Sequence, residues 1–198
     1  MGRFIINGKQ VTDPNYILNH NDSICHISHR HEPPVLDLPI EFIVDNDDLL
    51  VVNKPPSMPV HPCAQYKIHT VTGILWTQMG ISGMRLIHRL DRTTSGVLIF
   101  AKNYKTDIEF KQAMEKCHLK KEYVCKVEGV FPDGELVCEQ PIGHIIRSLG
   151  LQCVRPDGKS TKSTFKRLWT DGQNSVISAI IETGRTHQIR VHLQAILS

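Results

Sequence analysis

The chain has 198 residues, a net charge of +3 and 40% hydrophobic residues, enough for one good-sized domain with room for a small appendage. No run is long and apolar enough to span a bilayer, and the start Met1-Gly2-Arg3-Phe4-Ile5-Ile6 carries neither a secretory signal nor a myristoylation pattern. Six cysteines, at 25, 63, 117, 125, 138 and 153, show no Cys-x-x-Cys spacing, so they read as reduced thiols of an intracellular protein.

In chain order, Phe4-Ile5-Ile6 leads into Asn7-Gly8, a pair favoured in tight hairpins. A second short strand is expected over 24–27. His26, His29 and His31 lie close together, but no second group recurs at ligand spacing, so no metal is expected. Pro33-Pro34 closes this stretch. The expected organisation is a segment over 1–32, a linker over 33–39 and a main domain over 40–198. Strands are expected over 40–45 and 49–54, around the turn Asn46-Asp47-Asp48. The prolines from Pro55 to Pro62 then forbid a regular element and give a stiff loop. Residues 97–102 read as a buried strand feeding a helix. Thr106 and Glu109 fit a capping box, and Phe110, Ala113, Met114 and Cys117 recur as one apolar helix face. Residues 122–130 alternate, with Tyr123, Cys125 and Val127 on one strand face. The span 143–159, with glycines, Pro156 and basic residues, reads as a long loop offering an RNA face. Strands are expected over 163–169 and 175–182. Thr186 is placed to cap a closing helix, with a buried stripe of Ile189, Leu193, Ile196 and Leu197. His187, Arg190 and Gln194 fall on a different face.

Two stretches carry chemistry. In His88-Arg89-Leu90-Asp91-Arg92-Thr93-Thr94-Ser95-Gly96, one carboxylate sits among Arg85, Arg89 and Arg92. Nearby cations favour the charged form of an acid, and an ionised loop aspartate among phosphate-binding groups suggests a nucleophile or base acting on a polyanion. Taken alone, an Arg-Asp pair in a loop is more often a solvated or structural ion pair. A protein-kinase loop is excluded, because Leu90 separates Arg89 from Asp91 and no glycine-rich loop occurs. The second stretch is Thr183-Gly184-Arg185-Thr186-His187-Gln188-Ile189-Arg190-Val191-His192. The basic groups Lys120 with Lys121, and Lys159, Lys162, Lys166 with Arg167, read by default as solvated faces.

The run 88–96 resembles the His-Arg-Leu-Asp-x-x-Thr-Ser-Gly signature of the RNA pseudouridine synthases, in the branch that modifies ribosomal and transfer RNA. Three further blocks are similar to the same family, in the same order. Asn53-Lys54-Pro55-Pro56-Ser57-Met58-Pro59-Val60-His61-Pro62 is similar to its Asn-Lys-Pro-x-Gly-x-x-Val-His-Pro loop, with Ser57 in place of the usual glycine. Lys121-Glu122-Tyr123 is similar to its Lys-x-Tyr, and 183–190 to its Thr-Gly-Arg-Thr-His-Gln-Ile-Arg block.

The resemblance implies an α+β fold: a mostly antiparallel mixed β-sheet with flanking helices and a catalytic cleft across it. It implies isomerisation of uridine to pseudouridine in structured RNA, tRNA or rRNA. Asp91 would be the catalytic aspartate, Arg190 its paired arginine, and Tyr123 the ring that stacks on a flipped-out base. Arg89, Arg92, Lys54, His61, Lys121, Arg185 and His187 are then the candidate RNA contacts, with Arg185 also the alternative partner of Asp91. Bond cleavage and re-formation balance, so no cofactor is expected. A monomer acting on RNA, with no membrane association, is expected. Residues 1–32 resemble the end of an S4-type RNA-binding domain, on Ile6-Asn7-Gly8-Lys9 and Asn21-Asp22-Ser23-Ile24. Family members usually continue past the last helix, so the chain reads as shortened at its C-terminus. The rival expectation is an RNA-binding protein whose catalysis that shortening impairs. A generic aspartate-based hydrolase would need a second carboxylate or a metal cluster beside Asp91, and neither is evident in the neighbouring sequence.

Overall fold

The structure is a computed structural model that describes residues 3–29, 31–116, 118–146 and 149–197. The chain gathers into two compact units. The first takes Met1–Glu41, Lys54–Ser82 and Arg92–Gly96, and the second Phe42–Asn53, Gly83–Asp91 and Val97–Ser198. The proline loop therefore groups with the N-terminal stretch. Side chains make the link: the Glu32 carboxylate accepts from the Ile68 and His69 N–H groups at 2.7 and 2.8 Å, and Ser57 Oγ accepts from Leu36 N–H at 2.7 Å.

In the first unit, β1 (Phe4–Ile6), β2 (Lys9–Val11) and β3 (Ile24–His26) form an antiparallel sheet in the order β2-β1-β3. Asn7 and Gly8 join β1 to β2 with φ of 49° and 80°, the left-handed pair that a two-residue hairpin of matching twist requires. Asn7 is held by both ends of its amide, donating to Asp22 Oδ1 and accepting from Ser23 N–H. Helix α1 (Val71–Met79) starts where Thr70 Oγ1 accepts from Gly73 N–H and stops at Gly80 in the left-handed conformation. A Cβ on Gly73 would lie 2.3 Å from the Ile68 carbonyl oxygen, so this turn admits only glycine.

The second unit is built on two four-stranded sheets. One contains β4 (Glu41–Asp45), β5 (Leu49–Lys54), β6 (Arg85–Leu86) and β7 (Gly96–Ala101) in the order β4-β5-β7-β6, its end residues Glu41, Lys54 and Gly96 grouping with the first unit. The other contains β8 (Lys121–Glu128), β9 (Glu135–Cys138), β12 (Ser163–Thr170) and β13 (Asn174–Ile181), antiparallel throughout in the order β8-β13-β12-β9. Its inner face carries the core of Phe131, Cys138, Phe165, Ile177 and Ala179, closed by Leu193 of helix α3 (Gln188–Leu197). Tyr123, Cys125 and Val127 pack against that core from alternate positions of β8, as their period of two requires. Ile189 and Ile196 join it from α3, whereas Leu197 remains half exposed. This is the α+β architecture expected, with helices laid on antiparallel sheet.

Two local expectations are corrected. Helix α2 (Tyr104–Glu115) begins two residues before Thr106, and its cap is Asn103, whose side chain accepts from Thr106 N–H at 2.9 Å. Phe110, Ala113 and Met114 are half-buried on it, and Cys117 lies outside the described residues. The span 143–159 is no open loop: β10 (Ile142–Ile146) and β11 (Leu151–Val154) pair as an antiparallel hairpin. Among the described residues, no helix is long and apolar enough to cross a membrane.

Candidate active site

Asp91 lies on the connection from β6 to β7. Buried Ile87 and Leu90 pin the backbone before it. His88 adds a polar anchor, its Nε2 accepting from Ile99 N–H at 3.3 Å. Burial pushes the His88 pKa below its ordinary value, so the ring stays the neutral acceptor that this bond needs.

The carboxylate meets the first turn of α3. Asp91 Oδ2 is 3.4 Å from Arg190 Nε and 3.9 Å from His187 Nε2. The pair joins residues 99 positions apart. Tyr123 is half-buried on β8. Burial, and after it the negative charge of Asp91, raise its phenol pKa above the ordinary value, so the ring presents a protonated hydroxyl. Behind it, burial pushes up the Cys125 thiol, against the pull of the Arg190 charge.

What holds α3 in place is a buried polar cluster that sequence reasoning missed. Gln188 is 3% exposed and His192 fully buried. Gln188 Oε1 accepts from Thr183 Oγ1 at 2.7 Å and from Arg185 N–H at 3.1 Å, and its Nε2 donates to Lys162 O and Ser163 Oγ at 3.0 Å. His192 Nδ1 is 2.9 Å from Ser163 Oγ, and its Nε2 is 2.9 Å from Thr161 Oγ1 and 3.0 Å from Gln140 O. The available signal was the i, i+4 spacing of two polar residues on the side of the helix that faces the sheet. The helix begins differently from expectation as well. His187, at φ 56°, precedes it and its carbonyl accepts from Val191 N–H at 2.9 Å, so the capping position belongs to His187 and Thr186 lies outside it.

Several expected roles change. Arg85 does not face Asp91: it pairs with Asp107 at 3.7 Å and lies 5.0 Å from the centre of the Tyr104 ring. Lys54 is corrected from an RNA contact to an internal brace. It is fully buried, and its Nζ donates to the carbonyls of Pro55, Met58 and Arg92 at 2.8, 2.7 and 3.2 Å. Lys121 Nζ donates to the Glu182 carbonyl at 2.7 Å, which ties β8 to the end of β13. Arg89 and Arg185 are exposed. Arg92 and half-buried His61 belong to the first unit, where Arg92 Nη1 reaches Ser57 O at 3.5 Å and the guanidinium lies 6.0 Å from the Tyr66 ring centre. Of the expected basic cluster, Lys162 pairs with Glu139 and Glu182, and Arg167 with Asp133.

The fold is α+β, and in it one loop carboxylate, Asp91, pairs with a helix arginine, Arg190. The comparisons name the class: the chain belongs to the RNA pseudouridylate synthase family, whose description matches residues 48–195. Human pseudouridylate synthase RPUSD2 is 45% identical over 193 residues, covering 98% of this chain and 35% of that protein. The mitochondrial tRNA pseudouridine(32) synthase of Saccharomyces cerevisiae is 38% identical over 189 residues, covering 93% of this chain and 41% of that protein. The chain thus spans less than half the length of these two relatives. The solved structure of human RNA pseudouridylate synthase domain containing 1 shares the fold at TM-score 0.66 and 22% identity, over 84% of this chain and 68% of that one.

Proposed function

We propose that this chain isomerises uridine to pseudouridine in structured RNA of the tRNA or rRNA kind, with Asp91 as the catalytic carboxylate. The observation that carries the reading is the 3.4 Å pair between Asp91 and Arg190, which unites the two chemical stretches of the sequence. The name of the yeast relative supports a tRNA substrate. The reaction breaks the bond from C1′ to N1 and forms one from C1′ to C5, with a proton gained at N1 and one lost from C5. A stacked, paired base hides these atoms, so the nucleotide must be flipped out. Unstacking costs a few kcal/mol, which phosphate contacts and stacking on Tyr123 offset. A carboxylate can then attack the sugar, add to the base or take a proton from the sugar, and Arg190 aims it for each of these. Arg89, Arg92, His61, Arg185 and His187 are the proposed RNA contacts, and residues 1–32 a partial S4-like addition to them. Free cysteines at 25, 63, 125, 138 and 153 suit an intracellular setting.

Asp91→Asn tests the reading, because it keeps the shape and removes the charge. Tritium release from 5-labelled uridine in RNA is expected to vanish while RNA affinity stays within about twofold, since the phosphate contacts remain. Substantial turnover by the variant would return the Asp91–Arg190 pair to a structural ion pair. RNA binding without turnover by the unaltered chain would favour a non-catalytic binder.

A further inference from the structure

The hairpin of β10 and β11 walls a cleft of about 540 Å³ whose opposite side is the stretch from Gly184 to Thr186. That volume suits a ligand of nucleotide size. Backbone hydrogen bonds close the wall of the cleft. Ile142 N–H donates to Lys159 O at 3.0 Å and Lys159 N–H to Ile142 O at 2.8 Å. A Cβ on Gly158 would lie 2.6 Å from the Ile142 backbone, and one on Gly143 would lie 2.5 Å from the Arg155 side chain. Gly158 is therefore needed for the wall to close, whereas a side chain at Gly143 would push the flexible Arg155 side chain aside.

The charges in the cleft are not balanced. Arg155 is neutralised by a two-pronged pair with Asp157, its Nη2 donating to Oδ2 at 2.8 Å, and its Nη1 donates to the His144 carbonyl at 2.7 Å. Lys159 and Arg185, both exposed, line the same cleft, and the surplus positive charge is theirs. A concave polar wall with two cations suits an anion. Its rim also runs within two residues of His187, which faces Asp91 at 3.9 Å. The stretch that lines the cleft thus runs directly into the residue that faces Asp91.

We infer that this cleft seats the nucleotide next to the target uridine, with its phosphodiester between Lys159 and Arg185. The inference rests on the proposed RNA substrate, and it assigns the β10–β11 hairpin the task of reading the strand that flanks the modified position.

The test is Lys159→Gln, Arg185→Gln and the double variant, with Lys105→Gln on α2 as control, each checked for an unchanged melting temperature. Affinity for a structured RNA is measured across ionic strength, and KM and kcat by tritium release. Each cleft variant is expected to weaken RNA binding roughly fivefold near 0.1 M salt and to flatten the slope of log K against log salt by about 0.7–0.9, the loss of one phosphate contact. KM is expected to rise by the same factor with kcat held within about twofold, because a flanking contact acts equally on ground and transition states. Lys159→Glu is expected to weaken binding further than Lys159→Gln. Unchanged affinity and slope in the double variant overturn the cleft assignment, even where the unaltered chain is active. If the unaltered chain shows no turnover, the catalytic reading fails, and the salt slopes still decide the cleft. Binding of free uridine 5′-monophosphate that the variants abolish, with RNA affinity untouched, would also overturn it by making the cleft a mononucleotide site.

Discussion

Ser57 occupies a left-handed conformation, φ 69°, which costs an L-residue with a side chain on the order of 1 kcal/mol. Its hydroxyl partly offsets this by accepting from Leu36 N–H. Ser57→Gly removes strain and bond together, and Leu36 is exposed enough for water to replace the hydroxyl. The expected outcome in thermal melts is no loss for Ser57→Gly and about 1 kcal/mol of destabilisation for Ser57→Ala, which keeps the strain without the bond. Equal melting of the two variants would remove strain from the account. The departure from the glycine pattern was visible in the sequence, but the Leu36 partner that makes a serine tolerable was not, because the contact spans 21 residues. Lys54 illustrates the opposite case. Its place in a motif was legible, but whether the ammonium points to solvent or to three carbonyls is decided by chain folding. Lys54→Met is expected to destabilise the protein by about 3 kcal/mol, since it leaves buried carbonyls unpaired, with RNA affinity of the folded protein unchanged. A stable variant that binds RNA weakly would restore Lys54 as a phosphate contact.

Helix α3 positions the site through its buried side. Gln188 and His192 fix it to Ser163 at the start of β12, and Arg190 projects between them on the exposed side. Strand β8 was legible because its burial alternates as the backbone dictates, and so was the apolar stripe of α3, apart from exposed Leu197. The β10–β11 hairpin was not. Gly143 and Gly158 suggested a loop, whereas they serve the close approach of Arg155 and Ile142, which only a tertiary neighbour creates. The start of α2 was misread for a related reason: Asn103 and Thr106 are both competent caps, and Asn103 takes the position with its Nδ2 bonded to Asp48. The buried polar side of α3 also makes a pH prediction. Burial holds His192 and His88 below their ordinary value of 6.5, so at mildly acidic pH the unfolded chain binds protons that the folded chain refuses. Stability is then unaffected above about pH 7 and falls as pH drops through 6.5 toward the depressed folded values. Urea midpoints at pH 7, 6 and 5 should decrease in that order. His192→Gln should lower the midpoint at pH 7 and flatten the decline, because one of the two titrating rings is gone. A pH-independent midpoint in the unaltered chain would mean that these rings accept a proton without cost.

At the scale of the whole molecule, the charges decide how strongly the protein holds a polyanion. The sequence offers 23 Lys and Arg against 20 Asp and Glu, and a count of basic clusters alone suggests many phosphate contacts. Within the second unit, however, Arg85 pairs with Asp107, Lys102 with Asp45, Lys120 with Glu122, Lys162 with Glu139 and Glu182, and Arg167 with Asp133. These pairs contribute little stability where they are exposed, but they withdraw cations from RNA, because a phosphate must first displace a carboxylate. Pairing is a tertiary property, which is why the family and the Asp91 motif could be read from the sequence while the RNA-facing charge could not. Among the described residues Arg3, Lys9, Lys67, Lys116, Lys126 and Lys166 also stand outside these pairs, but the proposed phosphate contacts are Arg89, Lys159 and Arg185, with Arg92 once it gives up its long bond to Ser57. Each released contact contributes about 0.7–0.9 to the salt slope, so roughly four give a slope near −3 for log K against log salt. The slope is measured by anisotropy titrations of one structured RNA between about 50 and 300 mM salt. Neutralising a paired cation, as in Arg167→Gln, should leave the slope unchanged, and Arg89→Gln should reduce it by close to one unit. A slope that Arg167→Gln flattens as much as Arg89→Gln does would show that the internal pairs open on RNA, and one steeper than about −6 would show that cations beyond the four take part in binding.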